Sequence, residues 1–239
     1  MDIVDKNLEA VEYLKSKKEY HTILLKLREK YKKTGKLTGR IKLENLTKEQ
    51  GLLLGGIDHN LYVNLEGNLS VKKFMEHFSQ GQFQGIDFIE VLNLYFPEEL
   101  KTNREVREEK ELKKEAYFQV LMNELQEEKT RLWLEAVLTF KKHGYGMIYK
   151  LYKENSKELR TVIFNLDRAL AMMSFSEENY MPLPAFSALV TRDSHYFDGN
   201  NIGGKLLISA LSYLKGLDRC YTAEKISELL FSCGIVRDE

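Results

Sequence analysis

Two cysteines, Cys220 and Cys233, and three prolines, Pro97, Pro182 and Pro184, are all that 239 residues contain of either type. Two thiols in a lysine- and glutamate-rich chain make no disulfide framework and read as reduced core residues. So few prolines leave long stretches free of helix breakers, which predicts a mainly helical protein. No apolar run approaches the length of a membrane span, and residues 1–6 lack the apolar core of a signal peptide. The chain is therefore expected in the cytoplasm, without a membrane partner.

Catalytic signatures are missing too. There is no CxxC pair, no HExxH helix, no GxxxxGK[ST] loop, no GxSxG elbow and no Asp-x-Asp pair. Gly81-x-Phe83-x-Gly85 and Gly144-Tyr145-Gly146 are too short and poorly placed for dinucleotide loops. These absences argue against an enzyme, a metal centre or a bound cofactor.

What is present is charge, unevenly spread. The net charge is zero, yet residues 15–50 hold twelve lysines and arginines against four glutamates, a local charge of +8. Such a segment attracts phosphate backbones at close range, or simply solvates a helix face. Between residues 97 and 128 the balance reverses, with ten glutamates against six basic residues.

Apolar spacing predicts one or two helices ending near Tyr31, with Gly35 as a left-handed cap, then an extended Leu37–Leu43 segment. Thr47-Lys48-Glu49-Gln50 has the form of a capping box for a helix carrying Leu52, Leu53 and Leu54. Leu61 to Leu65 reads as a strand, and Ser70 as the cap of a helix with Val71, Phe74 and Phe78 on one face. This order suits a winged-helix-like element near residues 19–80. A long pattern without proline or glycine follows, from Asn103 to about Lys142, with Trp133 as a core anchor. Further helices are expected at 148–154, 156–173, 183–190 and 202–214, and a last one from the Thr222 cap to Ser232. The fold class is thus mainly α with minor β, a multi-helix protein. Three regions suggest themselves: a basic α+β subdomain at 1–97, a long charged helix or helical hairpin at 98–142, and a helical subdomain at 143–239.

One short stretch concentrates functional chemistry. Asp193, His195 and Asp198 fall within Thr191-Arg192-Asp193-Ser194-His195-Tyr196-Phe197-Asp198-Gly199, ahead of Gly203-Gly204. The arrangement could orient a histidine as a base or hold a divalent ion. It equally suits a turn in which Asp193 caps the backbone, His195 packs and Asp198-Gly199 redirects the chain.

The Thr191–Asp198 stretch, with Ile202-Gly203-Gly204-Lys205-Leu206-Leu207-Ile208-Ser209-Ala210-Leu211 after it, resembles the "TGDxHxLD…pLGrlvLrAL" segment of a known family. That segment lies in the N-terminal region of the type II-like JetD subunit of Wadjet systems. Leu37 to Glu49 resembles the family's "G-x-x-L-x-N-L-T-x-x-E" segment, and Cys233-Gly234-Ile235-Val236-Arg237-Asp238 its "GV-x-x-D" step. Arg192 stands where a small residue is expected, which argues against a tight backbone turn there.

The resemblance implies a bacterial anti-plasmid defence in which an SMC-like motor works with a DNA-cleaving subunit similar to the A subunit of type IIB topoisomerases. Cleavage there belongs to a C-terminal Toprim domain, which holds Mg²⁺ through a glutamate and an Asp-x-Asp pair. This chain stops at Glu239, where such a domain would begin, so by itself it is expected not to cut DNA, and Mg²⁺ is expected only with that domain. The leading expectation is a non-catalytic domain that positions double-stranded DNA through Lys36, Arg40, Lys42 and Lys48, with Lys72 and Lys73, and that contacts SMC-like or kleisin-like subunits, a homodimer being a further assembly. One alternative is a pure interaction module docking an SMC-like partner through residues 103–115. The other is a metal-dependent hydrolase using Asp193, His195 and Asp198.

Overall fold

Polar side chains standing one residue ahead of apolar stripes set many of the helix starts in the computed structural model, which describes residues 3–80, 83–173, 180–217 and 222–237. Gly81, Cys220, Asp238 and Glu239, named above, lie outside the described residues. The chain is mainly α with minor β: thirteen α-helices and four short strands among the described residues. It divides into two compact units, Met1–Lys113 and Lys114–Glu239, each with its own core. The boundary falls within the charged stretch, so residues 98–142 are shared between the two units.

The first unit holds α1 (Ile3–Ser16), a 3-10 turn (Lys18–Tyr20), α2 (His21–Thr34), β1 (Arg40–Leu43), α3 (Lys48–Gly55), α4 (His59–Asn64), β2 (Gly67–Ser70), α5 (Val71–Phe78) and α6 (Phe88–Tyr95). The capping box forms as its residues suggest. Gln50 donates its amide N–H to Thr47 Oγ1 (3.2 Å), and Gln50 Oε1 accepts the Thr47 amide (2.9 Å). The same side chain donates Nε2–H toward the Glu19 carbonyl and Thr22 Oγ1, both at 3.3 Å, so one residue starts α3 and ties it to the preceding helix.

Residues 19–80 then run helix, strand, two helices, strand, helix. β1 and β2 pair antiparallel, Arg40 opposite Ser70 and Leu43 opposite Gly67. No wing hairpin follows among the described residues, because Ser70 Oγ accepts the Lys73 amide and turns the chain straight into α5. The stretch Leu61 to Asn64 is helical rather than extended. Asp58 caps α4 through the Asn60 amide (3.1 Å), only Leu61 of that stretch is buried, and the chain leaves the helix through Leu65 at φ 55°.

The second unit contains the end of α7 (Asn103–Glu124), α8 (Glu128–Phe140), α9 (Tyr145–Glu154), α10 (Ser156–Met172), β3 (Met181–Pro182), α11 (Leu183–Thr191), α12 (Ile202–Leu214), α13 (Ala223–Phe231) and β4 (Ile235–Val236). Helix α10 buries Leu159, Val162, Ile163, Leu166 and Leu170, an i, i+3, i+4 stripe. Trp133 is fully buried as an anchor, and Cys233 is a buried free thiol. The strands β3 and β4 pair in parallel over two residues each, too short to read from sequence.

The stretch that reads as one pattern from Asn103 onward breaks after Glu124, without a proline or glycine at the break. The cause is tertiary. Asp167, buried on α10, accepts the backbone N–H of Gln126 (3.0 Å, Oδ2) and of Glu127 (3.2 Å, Oδ1). Arg131 donates to the Leu125 carbonyl (3.1 Å), and Leu125 is buried. A carboxylate from another helix thus does the capping that no local side chain does at Glu127.

Asp167→Ala should cost about 2–3 kcal/mol of stability, since two amides at a helix start lose a charged acceptor. Asp167→Asn, which keeps one acceptor oxygen, should cost roughly half as much. Urea denaturation followed by circular dichroism reads both, and equal stability of all three proteins would refute the capping role.

Candidate functional site

The basic residues singled out from the sequence gather mainly around one end of the β1–β2 ribbon. Helix α2 ends at Gly35, in the left-handed region at φ 68°, whose amide donates to the Tyr31 carbonyl (2.7 Å). Thr34 Oγ1 lies 2.9 Å from the carbonyls of both Lys30 and Lys36, which shapes the turn. The Gly39 carbonyl then accepts the Val71 amide (3.0 Å), fastening this turn to the start of α5.

Strand alternation does the rest. Ile41 and Leu43 point into the core, while Arg40 and Lys42 are exposed on the opposite face. Arg40 sits opposite Ser70, the cap of α5, so Arg40, Lys72 and Lys73 come to the same end of the ribbon as Lys36. Two of these cations are partly neutralised. Lys42 lies 2.5 Å from Glu44, and that hydrogen bond holds the ammonium above and the carboxyl below their usual ranges. Lys72 lies 3.6 Å from Glu76.

Lys48 is exposed at the start of α3, and no hydrogen bond or ion pair joins it to the others among the described residues. Lys30, not singled out from the sequence, reaches across to donate to the Arg40 carbonyl (3.1 Å) and pins α2 to β1. Lys32 and Lys33 add charge in the last turn of α2. Only the pairing register reveals that the two basic segments, thirty residues apart, meet.

Asp193, His195 and Asp198 form a corner between α11 and α12. Helix α11 ends at Arg192, in the left-handed region at φ 68°, its amide bonded to the Ala188 carbonyl (2.8 Å). The tight turn therefore forms even with arginine where a small residue was expected. Asp193 Oδ1 accepts the His195 amide (2.9 Å), and Asn201 donates to the His195 carbonyl (2.6 Å).

His195 Nδ1 lies 3.0 Å from Asp198 Oδ2, but the ring does not pack: its side chain is 76% exposed. A His–Asp pair of this kind fixes a tautomer. Asp193, however, spends its carboxylate on the backbone, and no three His, Cys, Asp or Glu side chains gather in a metal-holding group among the described residues. Beneath the corner, Phe197 is buried, and burial pushes the Tyr196 phenol above its usual range. Gly204 brings α12 directly onto this backbone, where a Cβ would overlap the carbonyl oxygens of Phe197 and Asp198.

A family model described as "Protein of unknown function N-terminus (DUF3323)" matches residues 37–239. The matched region contains β1, Arg40, Lys42, Lys48, Lys72, Lys73 and the whole corner, and leaves Lys36 just ahead of it. No curated protein and no solved structure matches the chain.

Arg192→Gly should raise stability by about 1 kcal/mol, by removing the left-handed penalty of a residue with a Cβ. Gly204→Ala should lower it by about 3 kcal/mol, because backbone must shift to admit the methyl group. Chemical denaturation of the two variants measures both. A Gly204→Ala protein as stable as the parent would show that the corner does not depend on this close approach.

Proposed function

The chain belongs to the DUF3323 family, and we propose that it is a non-catalytic domain that positions double-stranded DNA and contacts partner subunits. The observation that carries this reading is the convergence of Lys36, Arg40, Lys42, Lys72 and Lys73 on the β1–β2 ribbon and the adjoining start of α5. Exposed cations on a two-stranded ribbon and a helix start suit phosphate oxygens, which fix register on a duplex without reading its sequence. Helix α4, His59-Asn60-Leu61-Tyr62-Val63-Asn64, holds the place of a groove-reading helix in a winged-helix order but has no lysine or arginine. Contact through the ribbon fits that composition better than insertion of α4 into a groove.

The motif resemblance at Leu37–Glu49, Thr191–Leu211 and Cys233–Asp238 supports the narrower reading of an N-terminal part of a JetD-like protein of a Wadjet system. On that reading DNA cleavage and its Mg²⁺ belong to a Toprim domain, and this chain orients the duplex for it. No step of that chemistry passes through Asp193, His195 or Asp198, which build a corner.

A second reading, docking on an SMC-like or kleisin-like subunit, draws on the start of α7. Thr102 and Glu105 exchange the reciprocal bonds of a capping box there, and Lys101, Glu109 and Lys113 are linked at 2.7–3.0 Å. Leu112 stands 65% exposed among these mutually paired charges, an apolar point on a rigid charged helix.

Binding to a labelled duplex, followed by fluorescence anisotropy at about 50 mM salt, should be measurable and should weaken steeply as salt rises. Replacing Lys36, Arg40 and Lys42 by alanine should weaken it on all sequences alike and reduce the log–log salt slope by about 0.9 per lost phosphate contact. Absence of binding at low salt would remove the DNA reading for this chain. Charge reversal at Glu108 and Glu109 should abolish capture of SMC-like subunits while leaving DNA binding intact, if the second reading holds.

A further inference from the structure

A second cationic feature lies in the other unit. The turn between α8 and α9 faces α12 across a cleft of about 560 Å³, within the roughly 300–1,000 Å³ range of small-molecule sites. Three lysines, Lys141, Lys142 and Lys205, line it, and among the described residues no carboxylate does. Among the described residues these lysines form no ion pair, whereas Lys101 and Lys113 do.

The interior is apolar, from Met147, Ile208 and Ile226, with the Ser209 hydroxyl and the His143 ring beside it. Close approach of the two walls depends on Gly144, at φ 97°, where a Cβ would meet Leu206 Cδ2 at 3.0 Å and Ser209 Oγ at 3.2 Å. Next to it Gly146 has open space ahead of its backbone. Helix α9 starts at this wall without a capping side chain and without an acidic residue in its first turn.

Cations gathered over an apolar cleft suit an anion with a flat apolar body. We propose that this cleft binds the phosphate of a nucleotide, with Lys141, Lys142 and Lys205 holding the phosphate and the base lying against Met147, Ile208 and Ile226. The nucleotide is either free or the 5′-phosphorylated end of a nucleic-acid strand. The cleft is built from residues of the second unit alone, whereas the ribbon lysines belong to the first. Gly144-Tyr145-Gly146 is too short for a dinucleotide loop, yet the fold sets it on this wall.

Isothermal titration calorimetry of the full chain with AMP, ADP and ATP tests one source. A short single strand with and without a 5′-phosphate tests the other. The expected result is a dissociation constant below about 1 mM for at least one phosphorylated probe. The unphosphorylated strand should bind about tenfold more weakly than its phosphorylated counterpart, or the nucleotides should bind alone.

The exposed pair Lys142→Ala and Lys205→Ala should weaken that binding by about tenfold or more. The Lys36, Arg40 and Lys42 triple variant should leave it unchanged, which separates this site from the DNA reading. No heat with any probe at millimolar concentration, binding unaffected by the Lys142 and Lys205 changes, or loss of binding in the triple variant would each overturn the proposal.

Discussion

The carboxylate of Asp167, buried on α10 and bonded to the Gln126 and Glu127 amides, is the interaction on which the second unit depends. A buried charge is costly unless its oxygens are satisfied, and here two backbone donors satisfy it. In return it stops α7 and starts α8. The start of α8 places Trp133, Leu134 and Val137 in the core, and its end places Lys141 to Gly144 beside α12. One acid on the central helix therefore sets both the packing and one wall of the cleft.

In the first unit the comparable role falls to neutral groups. Gln50 closes a local cap and reaches back toward Glu19 and Thr22, and the Gly39 carbonyl accepts the Val71 amide at the start of α5. These contacts add little charge energy but fix where exposed cations stand. Surface ion pairs such as Lys42–Glu44 stabilise little in water. Their effect is to set which cations of the ribbon region, Lys42 and Lys72, stand beside a carboxylate.

In the Thr191–Gly204 corner a cluster of catalytic residue types is bonded mostly into the turn itself. Its polar groups mostly bond backbone: Thr191, Asp193 and Asn201 all do so. What remains is an exposed His195–Asp198 pair over a buried Phe197, with α12 resting on bare backbone at Gly204. Arginine at a left-handed cap is tolerated because the corner around it is held by several bonds at once.

Local chemistry was legible from the residues alone. The Thr47–Gln50 box, the Ser70 and Thr222 caps, the Gly35 stop and the alternation of Arg40 to Leu43 are interactions within a few positions, and so are most helix spans. Leu61 to Asn64 misled because a short apolar run has no period that separates strand from helix. The break at residues 125–127, the β3–β4 pairing, the meeting of Lys36 and Arg40 with Lys72 and Lys73, and the cationic cleft were decided only by tertiary structure. Each joins groups tens of residues apart, and a sequence carries the identity of such groups without the distances between them. By itself the sequence determined a mainly helical chain with a basic segment and a polar corner. Packing around α10 and the register of one two-stranded ribbon decided which of its charges stand together.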